Sequence, residues 1–421
     1  MKRAETDVVV IGGGPAGMAA ALDASLSGAE VHLLERDHTL GGVLPQCIHD
    51  GFGVLHFGEL LTGPQYAQRF IDKLTDSRVN VHLDSMVLRL SSNRELVFTD
   101  PKEGLQTLKA GAVILAMGCR ERTRAQVRVP GSRPAGVYTA GTAQRFINIE
   151  GLMIGRRAVV LGSGDIGLIM ARRLTLEGAE VEGVYEILPR PSGLTRNIVQ
   201  CLHDYEIPLH LSTTITEIRG SKRVTSVMVA KVNDKREPIP GTEREIPCDT
   251  VILSVGLLPE NELSAKAGVA IDPGTGGPLV DSRMQTNIPG VFGCGNVVHV
   301  YDLVDHVTAG AIRAAQGALY HLSGKLPNRR IPVIPGANVH HVVPHTLAWP
   351  AFDRETLAFR VRTEIRKARA VLKAGDKIIA TKRERVVKPA EMVVWTLSTK
   401  DLAAIPEDVQ SLNVEVVNDG E

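Results

Sequence analysis

No two of the chain's five cysteines, Cys47, Cys119, Cys201, Cys248 and Cys294, stand close enough to form a C-x-x-C pair. Thiols scattered singly argue against a zinc or iron–sulfur site built within this chain, and they fit a reducing, cytoplasmic setting. An excess of either charge is also lacking. Lys and Arg number 48 against 47 Asp and Glu, a formal net charge of +1, which predicts neither nucleic-acid nor anionic-membrane binding as the main role. No apolar run reaches the length of a bilayer crossing. Met1-Lys-Arg leads into a strand instead of an apolar leader, so no signal peptide is expected. What remains is 43% hydrophobic and 23% charged over 421 residues, the composition of a globular protein with room for two or three domains.

The most informative stretch lies near the N-terminus. Val8 to Ile11 predict a short buried strand, and Met18 to Ser27 an Ala-rich helix. Between them Gly12, Gly14 and Gly17 complete a G-x-G-x-x-G turn, with Pro15 and Ala16 inside it. Such a turn needs Gly12 for its tightness, Gly14 for backbone approach to a pyrophosphate, and Gly17 for close packing of helix on strand. The helix N-terminus offers its free N–H groups to phosphate. Val31 to Leu34 predict the next strand, and Glu35 closes it 23 residues after Gly12, where a carboxylate meets a ribose hydroxyl. Arg36 follows it, and Gly42 belongs to the Gly-rich run Gly41 to Gly53 that should pass the bound cofactor. That run carries two catalytic candidates, Cys47 and His49. Cys47 reads either as a small packed residue or as a redox group, and His49 as a residue facing the cofactor.

Asn80 to Arg89, Glu95 to Thr99 and Leu108 to Met117 read as strands, the last ending in the turn Ala116-Met-Gly118. The Arg-rich segment Arg120 to Arg128 reads as a solvated crossover, with one arginine near phosphate as the other reading. The opening pattern then returns. Ala158 to Leu161 predict a strand, Gly162, Gly164 and Gly167 a second complete fingerprint with Asp165 and Ile166 at the helix start, and Glu186 a second acid 24 residues after Gly162. A carboxylate there favours the ribose diol of NAD over the 2′-phosphate of NADP, although Arg190 lies nearby. Thr250 to Gly256 echoes Val113 to Gly118. Asn287 to Asn296 reads as a strand ending in a Gly-rich turn, with Gly295 and Asn296 at its end, and Asp302 to Leu322 as a helix.

With these motifs in place, residues 5 to 325 or so resemble the two-dinucleotide flavoprotein family that includes thioredoxin reductase and the disulfide reductases. The resemblance implies two Rossmann-like α/β domains, FAD and NAD(H) as cofactors, and a discontinuous FAD-binding domain at 1–125 and 262–326 around an NAD-binding domain at 126–261. It implies that Asn296 stands where the family's Asp bonds the flavin ribityl chain, a bond an amide can also accept. It also places Asp305, His306 and Val307 near the flavin. The family's cysteine pair, expected either after Gly42 or in the nicotinamide domain, is missing: the first region has Leu44 and the single Cys47, and Gly136 to Gln144 has none. This excludes the usual thiol–disulfide relay.

The Gly136 to Gln144 run resembles the flavin/NAD subunits of heteromeric dehydrogenases, such as the opine, hydroxyproline and sarcosine oxidising complexes and hydrogen cyanide synthase. Gln46 to Gly53 together with the tail is most similar to the NADH-oxidase-type subunit of glycerol-3-phosphate dehydrogenase complexes. That resemblance implies hydride exchange between NAD(H) and FAD. Its implied partners are a small Cys-rich or iron–sulfur protein and a flavin-dependent dehydrogenase subunit. A stand-alone NADH oxidase passing electrons to O2 or a quinone, and a vestigial flavin-binding scaffold, are the alternatives.

Residues 327–421 lie outside the resemblance and read as a small antiparallel β domain, irregular at first because of Pro327, Pro332, Pro335, Pro344 and Pro350. Trp349, Phe352, Phe359 and Trp395 are its expected core. No carboxylate or cysteine cluster accompanies His340, His341 and His345, so no metal is expected. The basic run Arg360 to Arg385 is either a solvated strand face or a partner-docking surface.

Overall fold

A computed structural model describes residues 3–351 and 354–420. The chain divides into two compact units, one of Met1–Cys119 with Pro259–Glu421 and the other of Arg120–Leu258.

The first unit is built on a sheet in the order Asn80–His82, Val31–Leu34, Arg3–Ile11, Gly104–Leu115, Glu95–Asp100, Val87–Leu90. Its organising element is the 12-residue strand Gly104–Leu115. That strand runs parallel to Arg3–Ile11 along its length, antiparallel to Glu95–Asp100 in its first half, and parallel to Val291–Gly293 at its end. Val8, Val9 and Val10 are fully buried because both faces of the parallel region are covered. The helix Pro15–Leu26 buries Ala16, Met18, Ala19, Ala20 and Ala21. Helix Val304–Leu322 buries Ala311, Ala314, Ala315 and Ala318 in the same core. Small side chains let the two helices lie close.

The region expected as one strand from Asn80 to Arg89 is two. Asn80–His82 pairs with Val31–Leu34, and Val87–Leu90 pairs with Glu95–Asp100 on the opposite side of the sheet. The break comes at Asp84, whose φ of 53° is left-handed, and at Ser85, whose N–H donates to the Glu35 carbonyl.

The second unit has a five-stranded parallel sheet in the order Val137–Thr139, Thr250–Leu253, Arg157–Leu161, Glu180–Tyr185, Leu209–His210. An antiparallel sheet of Thr213–Gly220, Val224–Lys231 and Arg244–Pro247 accompanies it. The Arg-rich segment is more structured than a solvated crossover. It contains the short helix Arg124–Val127, and Arg124 donates to the carbonyls of Val129, Pro130 and Ser132.

The C-terminal part of the first unit has a core of its own, which includes Leu347, Phe359, Leu372, Trp395, Leu397 and Val414. Trp349 packs against it, and Phe352 lies outside the described residues. Two sheets form it: Thr346–Trp349, Arg329–Pro335, Leu412–Asn418, Ile365–Ala374, Lys377–Val387, and Val339–Val343, Glu355–Val361, Val393–Leu397. Two expectations are corrected. The proline-bearing start is largely strand, because Pro332 falls where Arg329–Pro335 changes partner from Thr346–Trp349 to Leu412–Asn418 and no ladder donor is needed. The sheet is also mixed instead of antiparallel, since Arg329–Pro335 and Leu412–Asn418 run parallel.

Candidate functional site

In the first unit the glycine turn is enforced by close contacts. A Cβ on Gly17 would lie 1.7 Å from the Gly12 carbonyl oxygen, and one on Gly12, at φ +104°, would lie 2.5 Å from the Ala116 carbonyl oxygen. Gly14 has only the Gly42 Cα nearby, at 3.8 Å, so that side of the turn is open. No side chain caps helix Pro15–Leu26, whereas helix Gly63–Thr75 is closed by a capping box of Thr62 and Gln65. The uncapped N–H groups are thus available to an anion. Glu35 is buried, with Oε2 accepting from the Gly13 N–H at 2.5 Å and Oε1 from the Asp37 N–H at 2.7 Å. Each oxygen keeps a lone pair for a hydroxyl donor. Arg36 is exposed beside it.

Gly295 comes to the same place. At φ +71° its Cβ would be 2.7 Å from Ala16 Cβ and 3.3 Å from Val307 Cγ1, so Ala16, Gly295 and Val307 converge. The following Asn296 accepts from the Tyr301 N–H at 3.1 Å and turns its amide NH2 toward Cys119 Sγ at 3.7 Å. Gly118 follows the sheet end at φ +71° with open space where a Cβ would be.

The second unit repeats the construction. A Cβ on Gly162 would meet the Ser254 carbonyl at 2.2 Å, and one on Gly167 the Ser254 Cβ at 2.5 Å. Helix Asp165–Leu176 has no side-chain cap. Asp165, an unwelcome charge beside a phosphate, is turned aside: Oδ1 accepts from the Leu194 N–H at 2.8 Å and Asn197 Nδ2 at 2.6 Å. Ile166 is half-buried at the helix start. Glu186 is buried and accepts from the Ser163 N–H at 2.9 Å, Ser163 Oγ and Ser192 Oγ at 2.5 Å each, all on Oε2, and from the Leu188 N–H at 3.0 Å on Oε1. Oε1 is therefore the oxygen with capacity for a ribose hydroxyl. Arg190 is exposed, and Gly256 sits at φ +102° within the same unit.

Residues 6–319 match the family model described as pyridine nucleotide-disulphide oxidoreductase. The chain belongs to that family. Its members bind FAD and NAD(P)H, and the two glycine cradles with their uncapped helices and buried acids fit such dinucleotides. The chain is 28% identical over 345 residues to the HcnB subunit of hydrogen cyanide synthase from Pseudomonas protegens, covering 76% of this chain and 68% of that protein. It is 27% identical to an opine oxidase subunit of Agrobacterium tumefaciens, covering 69% and 61%. The chain thus spans about two thirds or less of the length of these relatives. Among solved structures, thioredoxin reductase of T. acidophilum matches 76% of the chain and 98% of its own with a TM-score of 0.63 at 25% identity.

Within this family fold, several candidates have other work. Cys47 donates its thiol to the Val43 carbonyl at 3.2 Å, and burial pushes its pKa up to about 12, which is unfavourable for a reactive thiolate. His49 turns back on its own loop, with Nδ1 2.8 Å from the Asp50 carbonyl and its ring against Phe52. Asp305, in the first turn of helix Val304–Leu322, is buried and accepts from the N–H groups of Gly53, Leu55 and His56 at 3.2, 3.1 and 2.8 Å. It pins the Gly-rich run to the helix. Sequence reading missed Ser163, Ser192 and Ser254, which hold the second fingerprint and its acid. Ser254 carried a signal, since it follows directly on the strand that echoes Val113 to Gly118. His340 and His341 approach each other at 3.0 Å, and His345 Nε2 lies 3.5 Å from Asp272 Oδ2. No helix among the described residues is long and apolar enough to cross a membrane.

Proposed function

We propose that this chain is the NAD(H)-facing, FAD-binding subunit of a heteromeric dehydrogenase, exchanging electrons with a partner dehydrogenase subunit. The observation that carries the reading is the pairing of two intact dinucleotide cradles with five cysteines, none of which forms a disulfide. When bound, nicotinamide and flavin supply the hydride exchange themselves. The chain's part is to position them: the helix starts at Ala16 and Ile166 face the pyrophosphates, Glu35 and Glu186 orient the adenosine riboses, and Asn296 faces the flavin side chain. Discontinuous 1–125/262–326 and 126–261 domains hold the two cofactors. The carboxylate of Glu186 sets NAD ahead of NADP.

With no cysteine pair, the electrons need an acceptor or donor outside the chain. HcnB and the opine oxidase relative are, by name, subunits of larger enzymes. The Gly-rich run and the residues just after it expose Val43, Ile48, Val54, Leu55 and Leu60, an apolar stretch of the kind that protein partners cover. A glycerol-3-phosphate dehydrogenase-like flavoprotein with a small Cys-rich protein is the specific partnership we favour, with residues 327–421 as the docking module and the cytoplasm as its place. The raised pKa of Cys47, held to the Val43 carbonyl, weighs against a self-sufficient oxidase cycling through a sulfenic acid.

The test is an anaerobic titration of the yellow protein with NADH and NADPH. The reading expects bleaching of the flavin by NADH, about tenfold or more weaker bleaching by NADPH, and slow reoxidation in air. Glu186→Ala should erase the difference between the two nucleotides. No bleaching by either would refute hydride exchange, and rapid reoxidation by air would replace the partner with oxygen.

A further inference from the structure

Helix Val304–Leu322 carries His306, Ala309 and Arg313 at spacings of three and four, which places them on one face. That face looks toward strands Glu355–Val361 and Val393–Leu397 and the Val343-Pro344 turn without closing on them. A cavity of about 190 Å³ remains, with Tyr301, Arg313, Val343, Pro344, Thr356 and Val394 among its walls. It has the volume of about six water molecules in the bulk liquid. Ala309 and Thr396, both exposed, stand at its rim.

The chemistry of the cavity is lopsided. Ala309, Val343, Pro344, Ala358 and Val394 give it an aliphatic side, His306 and two threonines share the rest, and its one permanent charge is the Arg313 guanidinium. Arg313 donates to the Thr356 carbonyl at 3.4 Å, near the limit of hydrogen-bond length. Among the described residues it has no ion-pair partner, because the neighbouring carboxylates are engaged elsewhere. Glu355 pairs with Arg283. Asp302 pairs with Arg360 and accepts from the Met392 N–H at 2.6 Å. Asp305 holds the backbone of residues 53–56. The carboxylate that Arg313 feels, Glu355, is thus already the ion-pair partner of Arg283, and Arg313 itself is half-buried. Desolvation lowers the Arg313 pKa while Tyr301 and Glu355 raise it. Holding a charge away from water with so little compensation is costly, and an anion in the cavity would relieve it.

We propose that this cavity binds a small monocarboxylate, its carboxylate paired with Arg313 and its short apolar tail against Val343, Pro344 and Val394. A planar carboxylate suits one guanidinium edge. The single permanent cation in these walls matches the one charge of a carboxylate better than the higher charge of phosphate. The assignment does not depend on the route the electrons take.

The test is a direct titration of the full-length, flavin-loaded chain with sodium acetate and sodium pyruvate by calorimetry and saturation-transfer NMR, with inorganic phosphate as competitor. Saturable carboxylate binding that phosphate does not displace is expected. Arg313→Gln should weaken it about tenfold or more. Ala309→Leu, which fills the mouth without touching a charge, should weaken it as much while flavin content and thermal unfolding stay unchanged, and it decides the matter if Arg313→Gln folds poorly. Unchanged binding in Ala309→Leu, displacement by phosphate, or no saturable binding of either carboxylate would overturn the assignment.

Discussion

Acidification should loosen the C-terminal module from the rest of its unit, and the histidines between them set the size of the effect. His299 is buried, neither ring nitrogen has a hydrogen-bond partner among the described residues, and its ring stands edge-on to His341 at 5.9 Å. Burial, His341 and Arg360 hold the His299 pKa well below its ordinary 6.5, and burial, His340 and Arg360 hold His341 at about 4. Asp272 is the opposing influence on His341. For a base with a depressed folded pKa, the stability of the neutral form is present above the unfolded value and is lost as pH falls toward the folded one. At about pH 5 an unfolded imidazole is almost fully protonated, while His341 is about one-tenth protonated. That difference costs about 2 kcal/mol relative to about pH 7.5, and His299, held low by burial, acts in the same direction. The assay is local, because the chain's two tryptophans, Trp349 and Trp395, both belong to the C-terminal core. Urea unfolding followed by tryptophan fluorescence at the two pH values should show the midpoint falling in the wild type and falling far less in His299→Phe/His341→Phe. An equal fall in both proteins would refute the argument.

Three further outcomes follow from single contacts. Glu355→Ala removes the buried carboxylate that pairs with Arg283, a side chain of which 7% is exposed, and should cost about 3 kcal/mol or more, read from the same fluorescence transition; Glu355→Gln should cost less. Gly17→Ala drives a Cβ to 1.7 Å from the Gly12 carbonyl, so the purified variant should carry little flavin by its visible absorbance, and a normal flavin content would contradict the cradle. Cys47→Ser should leave flavin reduction by NADH unchanged in anaerobic stopped flow, since the thiol is held protonated and bonded to Val43.

Much of the architecture could be read locally. The fingerprints at Gly12 and Gly162 combine a buried strand, glycines in forced geometry and an acid at fixed spacing, and a local pattern of that kind needs no tertiary information. The structure adds what each acid does within its unit. Glu35 and Glu186 brace their own glycine turns through backbone N–H groups, so the carboxylate serves the fold as well as any ribose. The C-terminal module was less legible. Leu412–Asn418 alternates buried and partly exposed residues, yet its partners are Arg329–Pro335 and Ile365–Ala374, about 80 and 45 residues away along the chain. Pairing over such distances is decided by packing and not by local preference.

The basic run Arg360 to Arg385 divides in the structure. Arg360 pairs with Asp302, Lys373 with Glu415 at 2.6 Å and Lys382 with Glu384 at 2.7 Å, while Arg366 and Arg383 remain largely exposed. Composition and spacing alone determined two dinucleotide-binding α/β halves, the lack of any C-x-x-C pair and a β-rich tail, because each follows from residues near one another in the chain. Only the tertiary structure decided that Asp305 would hold the Gly-rich run, that the Cys47 thiol would be bonded to the Val43 carbonyl, and that Arg313 would face a cavity with its neighbouring carboxylates already engaged. Those properties depend on which distant groups share a desolvated space, and burial, unlike periodicity, belongs to the folded chain as a whole.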